Sequence, residues 1–263
     1  MKTYAVDYEA KQIDRFDERW YQITKPDESI IYLRSVTTIL GIIDKGYQYD
    51  QWLKNVGHNA EIIVDRAGNL GTTVHALIER VLKHETVVYE ESIGIYAWER
   101  FIVWCELWKE FCSKNKVDWD PDYVEFITHD LELEYAGQAD LPLRVNDEWC
   151  LIDWKTGNNL QKAPLQLVAY MRSLEKQLDI KMTKGIIGWI PRTKPNKKGY
   201  RLIDVENSEE LFQVFIAARN LYMHEHGKEK PKYVAYPTQI DLEFIEKNQI
   251  VKLNPENKNG TSN

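Results

Sequence analysis

The residues of this sequence that are best suited to chemistry include an acid and a base in one predicted strand. The run EWCLIDWKTG covers residues 148–157, and its β-prone composition predicts a strand. Because successive side chains of a strand point to opposite faces, Asp153 and Lys155 share a face with Trp149 and Leu151. A carboxylate and an ammonium group therefore point in the same direction.

A second carboxylate, that of Asp140, is predicted to lie opposite Asp153. The Asn-Asp pair at residues 146–147 suits a two-residue hairpin turn, and that turn would pair the two aspartates across adjacent strands. Opposed side chains on one face have Cβ atoms about 4.5 to 5.5 Å apart, so the carboxylates repel unless a proton or cation lies between them. Pro142 cannot donate to a ladder and favours an edge strand or a bulge, which would displace Asp140 by one position.

Paired carboxylates with a nearby lysine indicate a divalent metal site. Ligation by carboxylate oxygens favours Mg²⁺ or Mn²⁺ over zinc, because these ions keep several waters and take further ligands from substrate phosphates. Lys155 would then hold or help deprotonate a water at the metal and stabilise charge on the reacting phosphate. On spacing alone, a solvated cross-strand cluster of Asp140, Asp153 and Lys155 is equally consistent with the sequence.

The elements that would position these residues begin with strands and two helices. Short β-prone runs flank the turn KPDES, and apolar residues at helical spacing, from Val74 to Leu82, predict one buried face of a helix within residues 47–84. His75 lies at the edge of this apolar stripe. A second helix is predicted at about 92–114, apolar nearly all round and therefore packed on more than one side.

The remaining elements are three β-prone segments, a helix, a hairpin and a last helix. The segments 122–128, 133–145 and 148–156 precede a helix that opens near Ala163 and Pro164, and a hairpin with the loop RTKPNKKG precedes a helix from Ser208 to Gly227. This order predicts an α/β fold with a central mixed β-sheet flanked by helices. We expect residues 1–245 to form one domain and residues 246–263 to form a polar, poorly ordered tail.

Composition and charge limit the classes of function. No apolar leader and no apolar stretch long enough to span a membrane is present, so we expect a soluble cytoplasmic protein. The net charge of −7 argues against non-specific coating of nucleic acid, which depends on clustered lysine and arginine. The 3 cysteines lack a CxxC pair and are predicted to be reduced, buried thiols, with no iron–sulfur cluster.

Several short motifs give the sequence a family resemblance. GQAD at 137–140, IDWKTG at 152–157 and QLVAY at 166–170 resemble, in this order and at these separations, the motifs of the RecB-like branch of the PD-(D/E)XK nuclease superfamily. Upstream, SVTTIL at 35–40, GTTVH at 71–75 and Glu125 are similar to the mitochondrial genome maintenance exonuclease and related phage exonucleases. The resemblance spans about residues 30–205.

The resemblance implies a restriction-endonuclease-like core and a Mg²⁺- or Mn²⁺-dependent DNA exonuclease that hydrolyses phosphodiester bonds. The catalytic residues it implies are Asp140, Asp153, Lys155, His75, Gln166 and Tyr170. The metal ligands it implies are His75, Asp140, Asp153 and the backbone carbonyl of Trp154, with Glu125 as a further ligand or a partner through water. The iron–sulfur cysteines of several RecB-like relatives have no counterparts in this sequence.

Without the resemblance, several of these residues have simpler interpretations. His75 on a helix flank is more often a boundary histidine than a ligand, and Glu79, one turn later, either fixes the imidazole or is a solvated carboxylate. Glu125, expected to alternate with its neighbours in a strand, would otherwise be an edge carboxylate. Gln166 and Tyr170 lie off the apolar stripe of their helix, so both can face the site.

Phosphate contacts by a protein of net negative charge require a local positive surface. The hairpin loop is the candidate DNA-binding surface because it carries Arg192, Lys194, Lys197 and Lys198, although solubility alone would explain such a loop equally well. Ser35, Thr37 and Thr38 have hydroxyls that could bind a phosphate at a helix N-terminus. Capping of that helix uses the same residues and is the favoured interpretation. Tryptophan and tyrosine side chains would stack on unpaired bases, which favours single-stranded or end-opened DNA.

The leading hypothesis is an exonuclease in bacterial or phage replication, recombination or repair, with a single-strand annealing protein or a helicase as a candidate partner. A structure-selective endonuclease for flaps or junctions would use the same metal site, since the channel around the site decides which ends are needed. A DNA-binding or scaffold protein without catalysis is the third hypothesis, and the presence of Asp140, Asp153 and Lys155 argues against it.

Overall fold

The computed structural model describes residues 8–15, 18–191 and 196–232, which form a mixed α/β fold, as predicted; residues 246–263 lie outside the described part. The strands are β1 (Glu9–Arg15), β2 (Glu18–Thr24), β3 (Ile30–Ser35), β4 (Val117–Asp118), β5 (Phe126–Asp130), β6 (Tyr135–Ala139), β7 (Leu141–Val145), β8 (Glu148–Lys155), β9 (Met182–Trp189) and β10 (Arg201–Glu206). The α-helices are α1 (Val36–Ile39), α2 (Tyr47–Val56), α3 (Ala60–Leu82), α4 (Ile95–Lys114), α5 (Ala163–Leu178) and α6 (Glu209–His226).

The strands form two mixed sheets flanked by helices. The first sheet has the order β1-β2-β3-β6-β5, with β3 and β6 parallel, and the second has the order β10-β9-β8-β7-β4, with β8 and β9 parallel. The edge strands β1 and β5 of the first sheet contact each other. This sheet therefore curls around its own apolar side chains, among them Tyr21, Ile23 and Leu33.

The segment 133–145, predicted as one strand, is divided between the two sheets at Asp140. β6 ends at Ala139 in the first sheet, and β7 begins at Leu141 in the second sheet. Strand propensity is continuous through this segment, but β6 pairs with β3 and β5, whereas β7 pairs with β8 and β4. Asp140 therefore lies where the chain passes from one sheet to the other.

The predicted register of the β7–β8 hairpin is confirmed. Leu141 pairs with Ile152, so Asp140 and Asp153 follow next in register at the end of the ladder. The turn residues 146–147 have φ angles of 52° and 69°, and two positive φ angles are what a type I′ hairpin turn requires. The local chemistry of the Asn-Asp turn therefore determines which side chains lie opposite each other.

Pro142 does not shift this register. It pairs with Leu151 inside the β7–β8 ladder. Among the described residues, the neighbouring strand β4 pairs with Val145 and Arg144 but does not reach Pro142. At Pro142, β7 is therefore an edge strand, where the missing N–H donor costs no ladder hydrogen bond.

Strand β8 separates two apolar clusters. Leu151 packs in a cluster with α5 and α6, whereas Ile152 and Trp154 pack in a cluster with α3 and α4. A β-carbon at Gly188 would lie 2.2 Å from the Trp154 ring, so the close packing of β9 on this indole needs a glycine. The predicted alternation is confirmed, and it places Asp153 on the same face as Leu151.

The two long helices that cover the second sheet differ from each other in burial. The apolar stripe predicted for α3 is buried. On α4, however, Ile95 and Ile102 are 53% and 45% exposed, so the prediction that this helix packs on more than one side is wrong. Cys105 and Cys112 on α4 are only half-buried, and the prediction of a buried thiol holds for Cys150 alone. No described helix has the length and apolar character needed to cross a membrane.

Candidate metal and nucleic-acid site

Asp140 is held by backbone groups on both sides. Its carboxylate Oδ2 accepts a hydrogen bond of 2.6 Å from the Trp154 N–H, and its carbonyl accepts one of 2.9 Å from the Glu125 N–H. The side chain is buried, and burial raises the pKa of its carboxyl. The hydrogen bond to β8 replaces the ladder bond that would otherwise follow Leu141, so the carboxylate occupies a fixed position beside Asp153.

Asp153 and Lys155 form an ion pair on β8. The Lys155 Nζ lies 2.6 Å from the Asp153 Oδ2, and Asp153 is 1% exposed. The Asp153 Oδ1 is buried and has no hydrogen-bond donor among the described residues. Burial raises the pKa of this carboxyl to about 6, although Lys155 opposes the shift. A buried oxygen without a donor favours a bound cation or a proton.

His75 reaches the same place from α3. Its Nδ1 lies 3.5 Å from the Asp140 Oδ2 and 3.7 Å from the Glu125 Oε1. Burial alone would lower the pKa of His75, but the two carboxylates outweigh it and raise the pKa to about 9. Without a metal ion, the protonated imidazole is the positive group between these two carboxylates. A metal ion bound there would displace its proton.

Glu125 contributes to the site through an unusual backbone conformation. The prediction that it alternates within a strand is wrong, because β5 begins at Phe126 and Glu125 has a φ of 57°. This left-handed conformation is uncommon for a residue other than glycine and costs free energy. The Glu125 N–H bond to the Asp140 carbonyl accompanies this conformation, and the carboxylate points toward His75.

The donor atoms gathered here fit a divalent metal ion. One ligand atom each from His75, Glu125 and Asp140 lies within 4.8 Å of the other two. Asp153, which pairs with Lys155, adds a buried oxygen that has no donor in the described part of the chain. A set of mainly carboxylate oxygens with one imidazole can hold a divalent cation. The predicted ligand role of the Trp154 carbonyl stays a prediction, although the Trp154 N–H bond to Asp140 places this residue at the site.

Gln166 and Tyr170 face the site from α5. The Gln166 Nε2 donates to the Tyr170 Oη at 3.1 Å. Burial raises the pKa of Tyr170 well above its ordinary value, so this phenol stays protonated. A β-carbon at residue 137 would lie 2.2 Å from the Tyr170 ring, so the glycine of the GQAD motif makes room for this tyrosine. The motifs at 137–140 and 166–170 therefore contact each other.

A cleft of about 390 Å³ joins these residues to solvent. His75, Glu125, Asp140, Lys155, Gln166 and Tyr170 line it, whereas Asp153, also expected at the site, does not. Glu79 also lines the cleft, where its Oε1 accepts a hydrogen bond of 2.6 Å from Lys83, as a solvated helix-face carboxylate would.

The N-terminal hairpin adds residues that sequence reasoning missed. Gln12 of β1 and both Arg19 and Tyr21 of β2 line the cleft, together with Gln138 of β6. The hairpin reaches the site because the first sheet curls, a property of the whole sheet. The alternation of polar residues in EAKQIDR is a weak signal for β1 and gives no indication of its position.

The hydroxyl residues predicted to bind phosphate serve mainly as a helix cap. Ser35 is buried and caps α1, where its Oγ accepts from the Thr38 N–H at 2.9 Å. The Thr37 and Thr38 hydroxyls both lie within hydrogen-bonding distance of the same oxygen, at 2.9 and 2.7 Å. Thr37 alone of the three lines the cleft. Capping, the interpretation favoured from the sequence, is what these contacts show.

The basic hairpin loop is only partly within the described residues. Arg192 and Lys194 lie outside them, and Lys197 is exposed. The Lys198 Nζ contacts both carboxylate oxygens of Glu110 on α4, at 2.7 and 2.5 Å. The side chain of Lys198 is therefore already paired with an acid and does not line the cleft.

The chain has a low similarity to a solved nuclease structure. An alkaline exonuclease, LHK-Exo from Laribacter hongkongensis, matches with a TM-score of 0.32 and 10% sequence identity, over 73% of this chain and 86% of that chain. No family model and no curated protein sequence matches the chain. Similarity at this level leaves the chemistry to be judged from the site residues themselves.

Proposed function

We propose that this protein is a Mg²⁺- or Mn²⁺-dependent deoxyribonuclease that acts as an exonuclease on single-stranded or end-opened DNA. One observation carries the proposal: ligand atoms of His75, Glu125 and Asp140 converge on an open cleft beside the buried Asp153–Lys155 pair. A solvated ion-pair cluster, the simpler interpretation, does not account for a carboxylate that is 1% exposed.

The residues of the site would have two separate roles in phosphodiester hydrolysis, metal binding and contact with the phosphate. His75, Glu125, Asp140 and Asp153 would hold the metal, which supplies Lewis-acid stabilisation of charge developing on the phosphate when it is bound. Nearby carboxylates raise the pKa of Lys155 although its burial opposes this, so Lys155 stays an ammonium group that donates to a phosphate oxygen. An ammonium group orients the attacking water but does not accept its proton.

Gln166 and Tyr170 are suited to positioning the substrate. The Tyr170 Oη accepts from Gln166, so its own O–H remains to donate toward the cleft. The raised pKa of the phenol keeps that proton in place at neutral pH. A neutral donor in an acidic site binds a phosphate oxygen without competing for the metal.

The size of the cleft supports an unpaired strand as substrate. Its volume, about 390 Å³, is in the range of sites that enclose one small molecule. We therefore expect the site to take unpaired nucleotides more readily than a duplex. The net charge of −7 also favours contacts confined to the cleft over broad coating of DNA.

A digestion assay with DNA labelled at either end tests the proposal. Wild-type protein with Mg²⁺ or Mn²⁺ should shorten linear single strands from an end, and EDTA should stop the reaction. Asp153→Asn should lose at least about a hundredfold in rate, since it removes an anionic ligand of the metal ion that stabilises charge on the reacting phosphate. Asp204→Asn is the matched control, because Asp204 is an exposed carboxylate on β10 whose Oδ2 lies 3.4 Å from the Lys184 Nζ.

The same assay separates the alternatives. Cleavage of circular single strands would identify an endonuclease, because a circle offers no end. Metal-dependent DNA binding without cleavage would identify a scaffold protein. Full activity of Asp153→Asn would contradict the assignment of the site.

A further inference from the structure

The N-terminal hairpin places a line of polar groups along one wall of the cleft. The buried Tyr21 hydroxyl donates to the Gln12 Oε1 at 3.2 Å, and the Gln12 amide donates to the Asp14 Oδ2 at 3.0 Å. The Asp14 Oδ1 lies 3.7 Å from the Arg19 Nε. Strand pairing of Gln12 with Tyr21 and of Asp14 with Arg19 keeps these four side chains on one face.

Arg19 is a cationic side chain of the cleft wall that is not paired with the carboxylates of the metal site. Of the two lysine or arginine side chains on the described cleft wall, Lys155 is bound to Asp153 at 2.6 Å. Arg19 is 49% exposed and contacts Asp14, which is 64% exposed. An exposed pair at this separation contributes little free energy, so the guanidinium can exchange Asp14 for another anion at small cost.

The negative charge of the cleft is a reason for a phosphate to bind at Arg19. Glu79, Glu125 and Asp140 line the cleft, and a bound metal ion offsets only part of their charge. A polyanionic strand therefore needs a positive group away from the metal. The guanidinium suits this purpose, because its planar fork donates two parallel hydrogen bonds to the oxygens of one phosphate.

We propose that Arg19 and Gln12 form a phosphate-binding subsite that holds a neighbouring phosphodiester of the substrate strand while the reacting phosphodiester lies at Asp140. This inference rests on the proposed nuclease function. Arg19 is a positioning residue here, and Asp14 is the anion that the phosphate displaces. Removing the Asp14 charge should therefore strengthen binding, opposite in sign to the removal of Arg19.

Steady-state cleavage of a single-stranded oligonucleotide tests the subsite. Arg19→Ala should raise KM by about tenfold or more with little change in kcat, since a lost charge-assisted hydrogen bond weakens binding to this extent. Arg19→Lys should lie between wild type and Arg19→Ala, because it keeps the charge but loses the fork. Asp14→Asn should lower KM.

Salt dependence provides a readout that a structural role would not change. The slope of log KM against log salt should decrease by about 0.7 in Arg19→Ala, the value for one phosphate contact on a single strand. Arg80→Ala is the matched control: Arg80 is 46% exposed, and its Nε lies 3.0 Å from the Glu85 Oε2. It should leave KM and the slope unchanged.

The outcomes distinguish this subsite from the proposed function. A wild type that cleaves DNA while Arg19→Ala behaves like Arg80→Ala would overturn the subsite alone. The subsite would also be wrong if Asp14→Asn raised KM as Arg19→Ala does, because that would indicate a structural hairpin contact. A wild type with no cleavage of DNA would overturn the nuclease function and the subsite with it.

Discussion

The Trp154 N–H donates a hydrogen bond to the Asp140 Oδ2 at 2.6 Å, across the point where the chain leaves one sheet and enters the other. The same oxygen lies 3.5 Å from the His75 Nδ1. This hydrogen bond joins the GQAD motif to the IDWKTG motif. It orients the carboxylate through the backbone of β8, so the side chain at Trp154 is free to pack on the opposite face.

Asp140→Asn should abolish metal-dependent cleavage and leave the fold intact. The asparagine can still accept from the Trp154 N–H through its carbonyl oxygen, so the contact between β8 and this side chain is kept. It lacks the negative charge that binds a divalent metal ion, so we expect a loss of at least about a hundredfold in rate. Digestion rates and thermal unfolding measure the two effects, and unchanged activity would contradict the ligand role of Asp140.

Gly137→Ala should destabilise the protein through Tyr170. The added β-carbon would lie 2.2 Å from the Tyr170 Cε1, so the ring must move, at a cost of about 1 to 3 kcal/mol. In a Tyr170→Ala background, the same substitution should cost much less, since the ring is gone. Urea unfolding of the four proteins measures this coupling. Gly41→Ala is the control, because a β-carbon there meets nothing within 4 Å.

The register of the site could be predicted from the sequence because its causes are local. An Asn-Asp turn at 146–147 with two positive φ angles fixes which residues pair, and the period of two in a strand fixes which side chains share a face. The position of Asp140 next to Asp153 follows from these two facts. Likewise, helical spacing is sufficient to place Gln166 and Tyr170 on the cleft side of α5.

The features that could not be predicted depend on contacts between distant segments. The sequence predicts one strand for residues 133–145, because strand propensity does not specify which strand is the pairing partner. The division at Asp140 exists only once two sheets have formed. The contribution of Arg19 to the cleft depends on the curling of the first sheet. Glu125 takes a left-handed conformation beside its contact with Asp140, and no residue type signals this in advance.

The stability of the protein should fall in mild acid because of His129. This imidazole is 6% exposed, and its Nδ1 lies 3.0 Å from the Gln177 Nε2, an amide nitrogen that can only donate. The Nδ1 is therefore the acceptor of a neutral ring. Burial lowers the pKa of His129 below its ordinary 6.5, and the neighbouring Asp130 opposes the shift only in part.

The sign of the effect follows from proton uptake. His129 has a pKa of 6.5 in the unfolded chain and a lower pKa in the folded protein. Below pH 6.5 the unfolded chain therefore binds this proton more readily than the folded protein does. The free energy of unfolding contributed by the neutral ring is present above this pH and is lost as the pH falls. His129→Gln keeps an acceptor and does not titrate. Urea unfolding at about pH 5 and about pH 7.5 should show a smaller loss for this variant than for wild type. The exposed His58, changed to Gln, is the control, and equal losses in all three proteins would contradict the prediction.

Metal binding should be visible in thermal stability as well as in cleavage. In the metal-free site, the Asp153 Oδ1 is buried with no donor from the residues that the structure describes, and a second carboxylate, Asp140, is buried beside it. Such an arrangement costs stability. Asp153→Asn should therefore unfold at the same temperature as the metal-free wild type or at a higher one. Mn²⁺ should raise the unfolding temperature of wild type, since an ion that binds only the folded state stabilises it. In Asp153→Asn this rise should be much smaller, whereas the surface variant Asp204→Asn should respond as wild type does. A large, equal rise in all three proteins would place the ion elsewhere and would remove Asp153 from the metal site.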